Sequence, residues 1–538
     1  MNEESFFQKL LAAGNSYWLT RFVILRLLGF VYAVAFLVAA QQLVSLIGGQ
    51  GLTPANHFLE SVQTQLGSRT AGMLGMPTLF WFGISDNALS ILAWIGLGLS
   101  LVVLGGYANA ILLGVLWAMY MSIVHVGQIW YGYGWEIQLL ETGFLSIFLC
   151  PLIDGRPFPK CRPPILVIWL FRWLGFRIMI GAGLIKLRGD PCWRDLTCLY
   201  YHYETQPIPS PISRYLHFAP HWFHKFETAW NHFVELIVPW FSFGPRQVRH
   251  VAGVLLVTFQ IFLVISGNLS FLNYLTIVPF LACFDDTFLC HFLPKLLVRR
   301  AERAAQESEP SRINNTIAVA LSILILYLSA APVLNLVSGR QLMNYSYDPL
   351  DLVNTYGAFG TVGRERQEII FEGTEDSVIT GDTKWKEYEF KAKPGDPNRR
   401  PPFVAPYQPG LTGKSGSPRW LHPRNIRGHC ILFGNFCITI RARSRSLLTI
   451  PFRTRHLTIF VRHFIVIDSL RSARKSGGNG SRLVNGYRHS RKTIPNFVAS
   501  SKQWIGWIET STVTSFVSAN RTDVEACPGC QRKFSEAD

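Results

Sequence analysis

Acidic and basic side chains lie inside long apolar stretches of the chain, where a charge is costly unless it has a partner or a function. Glu136 and Glu141 occupy one such stretch, and Arg172 and Arg177 occupy the next. These charges could form structural ion pairs between helices or line a proton or ion pathway. A transporter normally shows a repeat or paired broken helices, and the sequence has no convincing repeat. We therefore predict interhelical pairing of the two glutamates with the two arginines.

Lys186 lies in a run of small and apolar residues, 181–187, at the end of the second of these stretches. Small residues allow helices to approach closely. A desolvated lysine could act as a base if its pKa were lowered. A lysine near a helix end more commonly extends its amine to the membrane interface. The sequence favours this snorkelling position for Lys186.

Cys192 and Cys198 follow Lys186 and are separated by five residues. This spacing suits a small disulfide loop in an oxidising compartment. Two free thiols in a buried loop are the alternative, and the sequence does not decide between them. The ten cysteines of the chain are spread through its whole length, so their number does not indicate a disulfide framework.

The elements that position these residues are membrane spans. The 538 residues are 49% hydrophobic and only 16% charged, whereas soluble domains have about 25% charged residues. This composition excludes disordered chains, small disulfide scaffolds and most cytosolic enzymes.

A membrane-spanning helix needs about 20 mostly apolar residues. We predict nine spans, at 22–47, 88–106, 110–126, 136–152, 165–187, 229–243, 250–266, 269–284 and 316–336. The segment 229–243 contains Pro239 and could be re-entrant.

Basic residues in the short loops predict the orientation of these spans. They precede the fifth, seventh and ninth spans, at Lys160, Arg162, Arg246, Arg249, Lys295, Arg299, Arg300 and Arg303. With nine alternating spans, all three loops lie on the same side as the N-terminus, which is predicted to be cytoplasmic. The outside regions are then 48–87, 127–135, 188–228 and the chain after 337.

Of three glycosylation sequons, only that of Asn344 falls clearly outside.

Several long strings around these residues resemble one protein family. They are 181–198, 200–211, 226–236, 265–268, 353–360 and 385–397. They are similar to the signature blocks of the lipase maturation factor family, and the resemblance covers approximately residues 15–408.

This resemblance implies a multi-pass membrane protein that assists the folding and assembly of secreted homodimeric lipases. Its location would be the endoplasmic reticulum membrane in a eukaryote and the cytoplasmic membrane in a bacterium. The partners would be a lipase or another exported client and the bilayer, with no nucleic acid and no cofactor. The aromatic loop 188–228 suits contact with an incompletely folded client. The candidate client-binding residues are Trp193, Tyr200, Tyr201, His202, Tyr203, Glu204 and Gln206.

A shorter likeness suggests an enzyme instead. A small-residue helix end, Lys186-Leu187 and Trp193 also resemble the membrane region of vitamin K-dependent gamma-carboxylases. In those enzymes a lysine is the catalytic base, and Lys186 is the residue that would match. The leading interpretation assigns no catalytic residue to the chain.

The resemblance stops after residue 408. Residues 409–538 carry 21 Lys and Arg against 6 Asp and Glu, whereas residues 1–408 carry 30 against 28. A nucleic-acid arm and a metal site at Cys527 and Cys530 are two interpretations, although a single CxxC lacks a second ligand pair. A shifted reading frame or a retained intron is the third, and the abrupt break favours it.

These observations predict an all-α polytopic membrane bundle of about eight or nine transmembrane helices. Residues 1–336 would form this bundle. Residues 337–408 would form a small, truncated, β-containing lumenal or extracytoplasmic C-terminal domain, indicated by alternating runs at 368–372 and 388–391. The basic Arg/Ser-rich tail, 409–538, would be aberrant or disordered, and no metal site is assigned.

Overall fold

The structure is a computed structural model that describes residues 17–308, 311–364, 366–374, 386–388, 390–393, 399–410, 458–467 and 489–492. For 367–374, 386–388, 458–467 and 489–492 it describes the backbone alone. The chain divides into two compact units, Met1–Ser490 and Arg491–Asp538. The description below concerns the first unit. The CxxC pair of the tail lies outside the described residues.

Helices make up most of the described chain. They are α1 Trp18–Ile47, α2 Ala55–Leu66, α3 Arg69–Gly75, α4 Asp86–Gly105, α5 Ala110–Val126, α6 Gly134–Ile147, α7 Ile165–Arg188, α8 Pro191–Arg194, α9 Leu199–Thr205, α10 Ser213–His217, α11 His221–His232, α12 Arg246–Ser266, α13 Leu272–Phe280, α14 Asp286–Leu289, α15 Lys295–Gln306, α16 Arg312–Leu328 and α17 Ala330–Val337.

In the part of the chain that the structure describes, five helical stretches are long and apolar enough to cross a bilayer. They are α1, α4, α7, α12 and the continuous stretch Arg312–Val337 formed by α16 and α17. Two further apolar helices are shorter, Ala110–Val126 and Leu272–Cys283. The predicted span 136–152 corresponds to α6, which has 14 residues. The predicted count of eight or nine transmembrane helices is therefore not confirmed by helix length and composition.

The predicted span 229–243 is not one regular helix. After α11 ends at His232, residues Phe233–Ile237 form a π-helix and Val238–Phe243 form a 3₁₀ helix. Pro239 lies in the second position of the 3₁₀ helix and has no N–H to bond back to the preceding turn. The helical path thus runs without a loop from His221 to Phe243, but its pitch changes twice.

The three basic loops and the start of α1 meet at one end of the bundle, which we call the basic end. Arg21 donates from Nη1 to the Cys161 carbonyl at 2.8 Å. The backbone N–H groups of Trp18 and Leu19 donate to Asp286. Other contacts there are Lys160 with Glu307 at 3.0 Å, Arg246 with Asp285 at 2.7 Å and Arg162 with Ser308 at 3.2 Å. The geometry therefore groups the basic loops that the sequence placed on one side.

The described residues between 341 and 410 pack at the opposite end of the bundle, which we call the distal end. The Asp190 N–H donates to the Gly360 carbonyl at 2.8 Å. The Asn268 carboxamide accepts from the Val404 N–H at 2.8 Å, and Gln42 accepts from the Gly410 N–H at 2.7 Å. The predicted outside loop after α7, the end of α1 and the connection between α12 and α13 therefore contact this part of the chain.

The described strands follow the helical region and range from two to ten residues in length. They are β1 Tyr345–Ser346, β2 Asn354–Thr355, β3 Arg366–Thr374, β4 Lys386–Tyr388, β5 Thr458–Ile467 and β6 His489–Lys492. β1 pairs with β2, and β3 pairs with β4 and β5, all antiparallel. Asn344 is exposed directly before β1. A separate lumenal domain is not confirmed by these pairings.

We predict that the two ends of the bundle lie on opposite sides of the membrane. An Asn-X-Thr acceptor built at exposed Arg194 should be glycosylated in microsomes, because the loop bias places this loop outside. The same acceptor built at exposed Gln306 should remain unmodified. The control replaces the acceptor asparagine by glutamine in each variant. Modification near Gln306 without modification near Arg194 would reverse the predicted orientation.

Candidate functional site

One of the predicted intramembrane ion pairs joins α6, α7 and the chain after 350. Arg177 forms an ion pair with Glu141, and both side chains are buried. Arg177 also donates from Nη1 to the Asn354 carbonyl at 2.7 Å. Glu141 Oε2 accepts from the Asn354 N–H at 3.0 Å and from the Tyr356 hydroxyl at 2.7 Å. The pair therefore anchors residues 354–356 inside the bundle.

The other predicted pair, Glu136 with Arg172, does not form. Glu136 accepts hydrogen bonds from the Tyr120 hydroxyl and from Trp135 Nε1. Arg172 donates to the Ala282 carbonyl at 2.8 Å and to the Tyr17 hydroxyl at 2.9 Å. Relative to the Glu141–Arg177 pair, Glu136 lies toward the distal end and Arg172 toward the basic end. Each lies five residues from that pair along its own helix, in opposite directions. At a rise of 1.5 Å per residue, Glu136 and Arg172 are therefore about 15 Å apart along the bundle.

Lys186 does not snorkel. Its side chain is 3% exposed and forms an ion pair with Glu235 of the π-helix. The Lys186 ammonium also lies 5.2 Å from the centre of the Trp193 ring, a cation–π contact. Asn231 Nδ2 donates to the second oxygen of Glu235 at 2.9 Å. The predicted snorkelling position is wrong because a buried carboxylate supplies the partner that water would otherwise provide.

Glycines in the 181–187 run explain how these groups approach one another. A Cβ on Gly183 would collide with Leu236 and crowd Glu235, and one on Gly181 would collide with the Tyr356 carbonyl. Small residues at these positions therefore let the π-helix and the chain near 356 contact the backbone of α7. The Lys186–Glu235 pair depends on this close packing.

Cys192 and Cys198 form a disulfide, with their Cα atoms 4.8 Å apart. The disulfide lies in a small buried cluster with Trp193, Leu199 and Tyr203. Trp193 Nε1 donates to the Phe359 carbonyl at 2.8 Å. The first part of the 188–228 loop is thus a packed structure tied to the chain near 360.

Burial changes the interpretation of the seven candidate client-binding residues. Trp193, Tyr203 and Gln206 are each 2–3% exposed, so their side chains are not available to a partner. The Tyr203 hydroxyl donates to Glu227 at 2.9 Å, and Gln206 Nε2 donates to the Ser213 hydroxyl at 2.6 Å. The remaining four are partly buried: Tyr200, Tyr201, His202 and Glu204. The three buried residues hold the loop together in this structure, and client contact by the seven residues stays a prediction.

The pKa values of several groups in this loop are shifted, and those of His202 and Glu204 bear on its charge. Burial, and then the nearby charge of Lys186, lowers the pKa of His202 to about 4. Burial raises the pKa of Glu204 to about 7, although the Arg366 charge opposes the shift. His202 is therefore neutral at physiological pH, which avoids a second positive charge beside Lys186.

An exposed aromatic surface lies on the same loop, which we call the 212–226 surface. Its side chains are exposed at 40–73%: Ile212, Tyr215, Phe218, Trp222 and Phe226. The sequence interpretation missed it because it weighted the signature blocks around residues 193–206. The helical spacing of Trp222, Phe226 and Trp230 was the available signal, since residues four apart share one face.

Among the residues that the structure describes, no group of three or more His, Cys, Asp or Glu side chains could hold a metal ion. The polar groups at the distal end instead bond to one another.

Known proteins match this chain along most of its length. The sequence model of the lipase maturation factor transmembrane domain matches residues 19–291, and that of the lipase maturation factor C-terminal domain matches residues 352–414. Lipase maturation factor 1 of Bos taurus is 51% identical over 414 residues, which cover 73% of this chain and 74% of that protein.

More distant relatives give the same result. Lipase maturation factor 1 of Homo sapiens is 50% identical over 413 residues, covering 73% of each chain. Lipase maturation factor 2 of Mus musculus is 28% identical over 496 residues, covering 71% of this chain and 69% of that protein. No solved structure matches the chain. The match of the transmembrane model to half of the sequence, together with these identities, shows that the chain is a member of the lipase maturation factor family.

Proposed function

We propose that this integral membrane protein is a maturation factor that assists the folding or assembly of a secreted lipase or a related exported protein. The observation that carries the proposal is the 50–51% identity to proteins named lipase maturation factor 1 over about three quarters of each chain. The packing of the distal end supports it, because family-matched residues from both parts of the chain meet there. Its action is non-enzymatic, through contact with the client.

The proposed location is the endoplasmic reticulum membrane in a eukaryote, or the cytoplasmic membrane in a bacterium, with the N-terminus cytoplasmic. The distal end then faces the lumen, where a secreted client folds. Eight or nine crossings remain the proposed count. The shorter helices α5, α6 and α13 and the path from His221 to Phe243 support it, because their ends alternate between the basic and distal ends. Asn344 is then a lumenal glycosylation site.

The proposed division of the chain is a membrane bundle at 1–336, a truncated lumenal C-terminal domain at 337–408 and a foreign basic tail at 409–538. The end of the C-terminal family match at residue 414 supports this division. The tail is proposed to arise from a shifted reading frame or a retained intron. Sequencing all transcripts across codons 400–415 tests it. The proposal would be removed if every transcript reads in frame into 409–538 and none is spliced or framed to continue the family-matched sequence.

The 212–226 surface is the proposed place of client contact. It lies on the predicted lumenal loop and offers large apolar side chains, which supply most of the binding energy at protein interfaces. The buried residues Trp193 and Tyr203 stabilise the same loop by packing inside it. A client that has not yet buried its own apolar surface would gain from such contact.

An enzymatic role for Lys186 is the second candidate, and its burial beside Trp193 is the observation that favours it. A general base must release its proton near working pH. The Lys186 side chain is instead held by Glu235 and by the Trp193 ring, and these contacts support a structural role. The structural role is therefore the one we propose.

We predict that the 212–226 surface controls client association. Changing Tyr215, Phe218 and Trp222 together to serine should reduce co-precipitation of a co-expressed secreted dimeric lipase by about 30-fold or more, the equivalent of about 2 kcal/mol at an interface hot spot. Secreted lipase activity should fall in parallel. The matched control changes exposed Leu74 and Phe82, which lie in a different outside loop, to serine. Equal losses in both variants, or none in the first, would contradict this surface.

We predict that Lys186 acts through its ion pair. Lys186→Met leaves Glu235 buried without a counter-charge, which should cost about 3–5 kcal/mol and lower the amount of folded protein. Lys186→Met combined with Glu235→Met removes both charges and should restore folded protein and lipase activity. The control is Arg340→Met at an exposed position outside the 212–226 surface, which should be silent. A double variant that is folded and binds lipase but yields no active lipase would instead indicate lysine-dependent chemistry.

A further inference from the structure

A short amphipathic helix at the basic end presents one strongly charged face. Helix α15, Lys295–Gln306, lies between the segment after α14 and the start of α16. Ala301 and Ala304 are buried in the main apolar core, and Val298 packs partly against it. These three positions share one side of the helix, at i, i+3 and i+6. The helix therefore lies with its apolar side on the bundle.

The opposite side of α15 is basic and exposed. Lys295, Arg299, Arg300 and Arg303 are all exposed. At 100° per residue, these four side chains fall within an arc of about 140°. We call this arc the basic face of α15.

The basic face has little acidic compensation. None of its four cations forms an ion pair with a described residue. Glu302 is exposed at the edge of the arc, and Glu307 is already paired with Lys160. Among the described residues, four cations against one unpaired carboxylate leave a net positive surface that complements an anionic partner.

Two exposed apolar side chains accompany this charge. Leu296 is 61% exposed and lies within the arc of the basic face, and Phe292 is 72% exposed one turn before it. A soluble polyanion offers nothing to such side chains. A lipid leaflet offers both phosphate groups for the cations and acyl chains for the leucine and phenylalanine.

The bundle fixes the position of α15 near the membrane surface. Beyond its C-terminal end, Arg162 Nε donates to the Ser308 hydroxyl at 3.2 Å. Shortly afterwards α16 begins at Arg312 and continues into the apolar stretch to Val337. The basic face is thus attached directly to a membrane-spanning stretch, where clusters of four or more Lys and Arg bind anionic headgroups.

We propose that the basic face of α15, with Phe292 and Leu296, is a binding surface for anionic phospholipid in the leaflet at the basic end. The cations contact headgroup phosphates, and the two apolar side chains insert beside the acyl chains. This role goes beyond the effect of loop charge on orientation, because it predicts a preference among lipids in the folded protein.

The test uses the full chain in nanodiscs of phosphatidylcholine alone or of phosphatidylcholine with phosphatidylserine. We expect phosphatidylserine to raise the unfolding temperature and to be retained preferentially on detergent extraction. Changing Lys295, Arg299, Arg300 and Arg303 together to glutamine should reduce that retention about tenfold, since each cation near a charged leaflet contributes to attraction. Replacing only the three arginines by lysine should preserve it.

The matched control changes one lysine and three arginines at other exposed positions, Arg194, Arg214, Lys225 and Arg340, to glutamine. It should leave lipid retention unchanged. Retention should also fall with added salt in the unaltered protein, because exposed charges are screened. Equal retention by the glutamine variant of α15, an equal loss in the control, or a salt-insensitive preference would each overturn the proposal.

A further experiment distinguishes an anionic lipid from a soluble polyanion as the ligand of the basic face. Inositol hexakisphosphate added to phosphatidylcholine nanodiscs should raise the unfolding temperature little, because it cannot engage Phe292 and Leu296. The face would instead be assigned to a soluble polyanion if two results were obtained. Inositol hexakisphosphate would raise the unfolding temperature as much as phosphatidylserine does, and the double variant Phe292→Ser with Leu296→Ser would not alter that rise. If the glutamine variant fails to insert into nanodiscs, the salt series and the inositol hexakisphosphate experiment still test the proposal, because both leave the four cations of the basic face unaltered.

Discussion

Three cations of helix α7 require partners because their side chains are buried. Arg172, Arg177 and Lys186 are all buried, and an isolated charge at such a depth is strongly unfavourable. Each therefore has a different neighbour: carbonyl and hydroxyl oxygens for Arg172, Glu141 for Arg177 and Glu235 for Lys186. Because those partners belong to different segments, neutralising one helix fixes the arrangement of several others.

The same requirement accounts for the irregular helix before Phe243. A regular α-helix repeats every 3.6 residues, whereas the π-helix Phe233–Ile237 adds width to one turn and changes the direction of the following side chains. Glu235 lies within this turn and reaches Lys186. Glycines at 181 and 183 supply the space. The π-helix and the small residues of α7 are thus two parts of one contact.

The distal end joins the two family-matched parts of the chain through polar contacts with backbone. Glu141 binds the Asn354 N–H, Asp190 binds the Gly360 carbonyl and Trp193 binds the Phe359 carbonyl. Backbone groups buried in this way need partners at defined positions. Burial therefore divides the residues of the aromatic loop into two sets. The buried residues hold the chain near 360, and the exposed residues at 212–226 form the surface proposed for client contact.

The sequence by itself determined the apolar character of the bundle, the positions of its long helices and the family. The predicted 110–126 helix has the observed bounds, because an apolar run bounded by Asn109 and Gly127 is a local signal. Local patterns also indicated that the intramembrane charges pair. They could not assign the partners, since Glu141 meets Asn354 more than two hundred residues away and Lys186 meets Glu235 only through a π-helix. Burial of Trp193 and exposure of Trp222 were likewise decided by tertiary packing, because both residues have the same side chain and differ only in what the rest of the chain places against them.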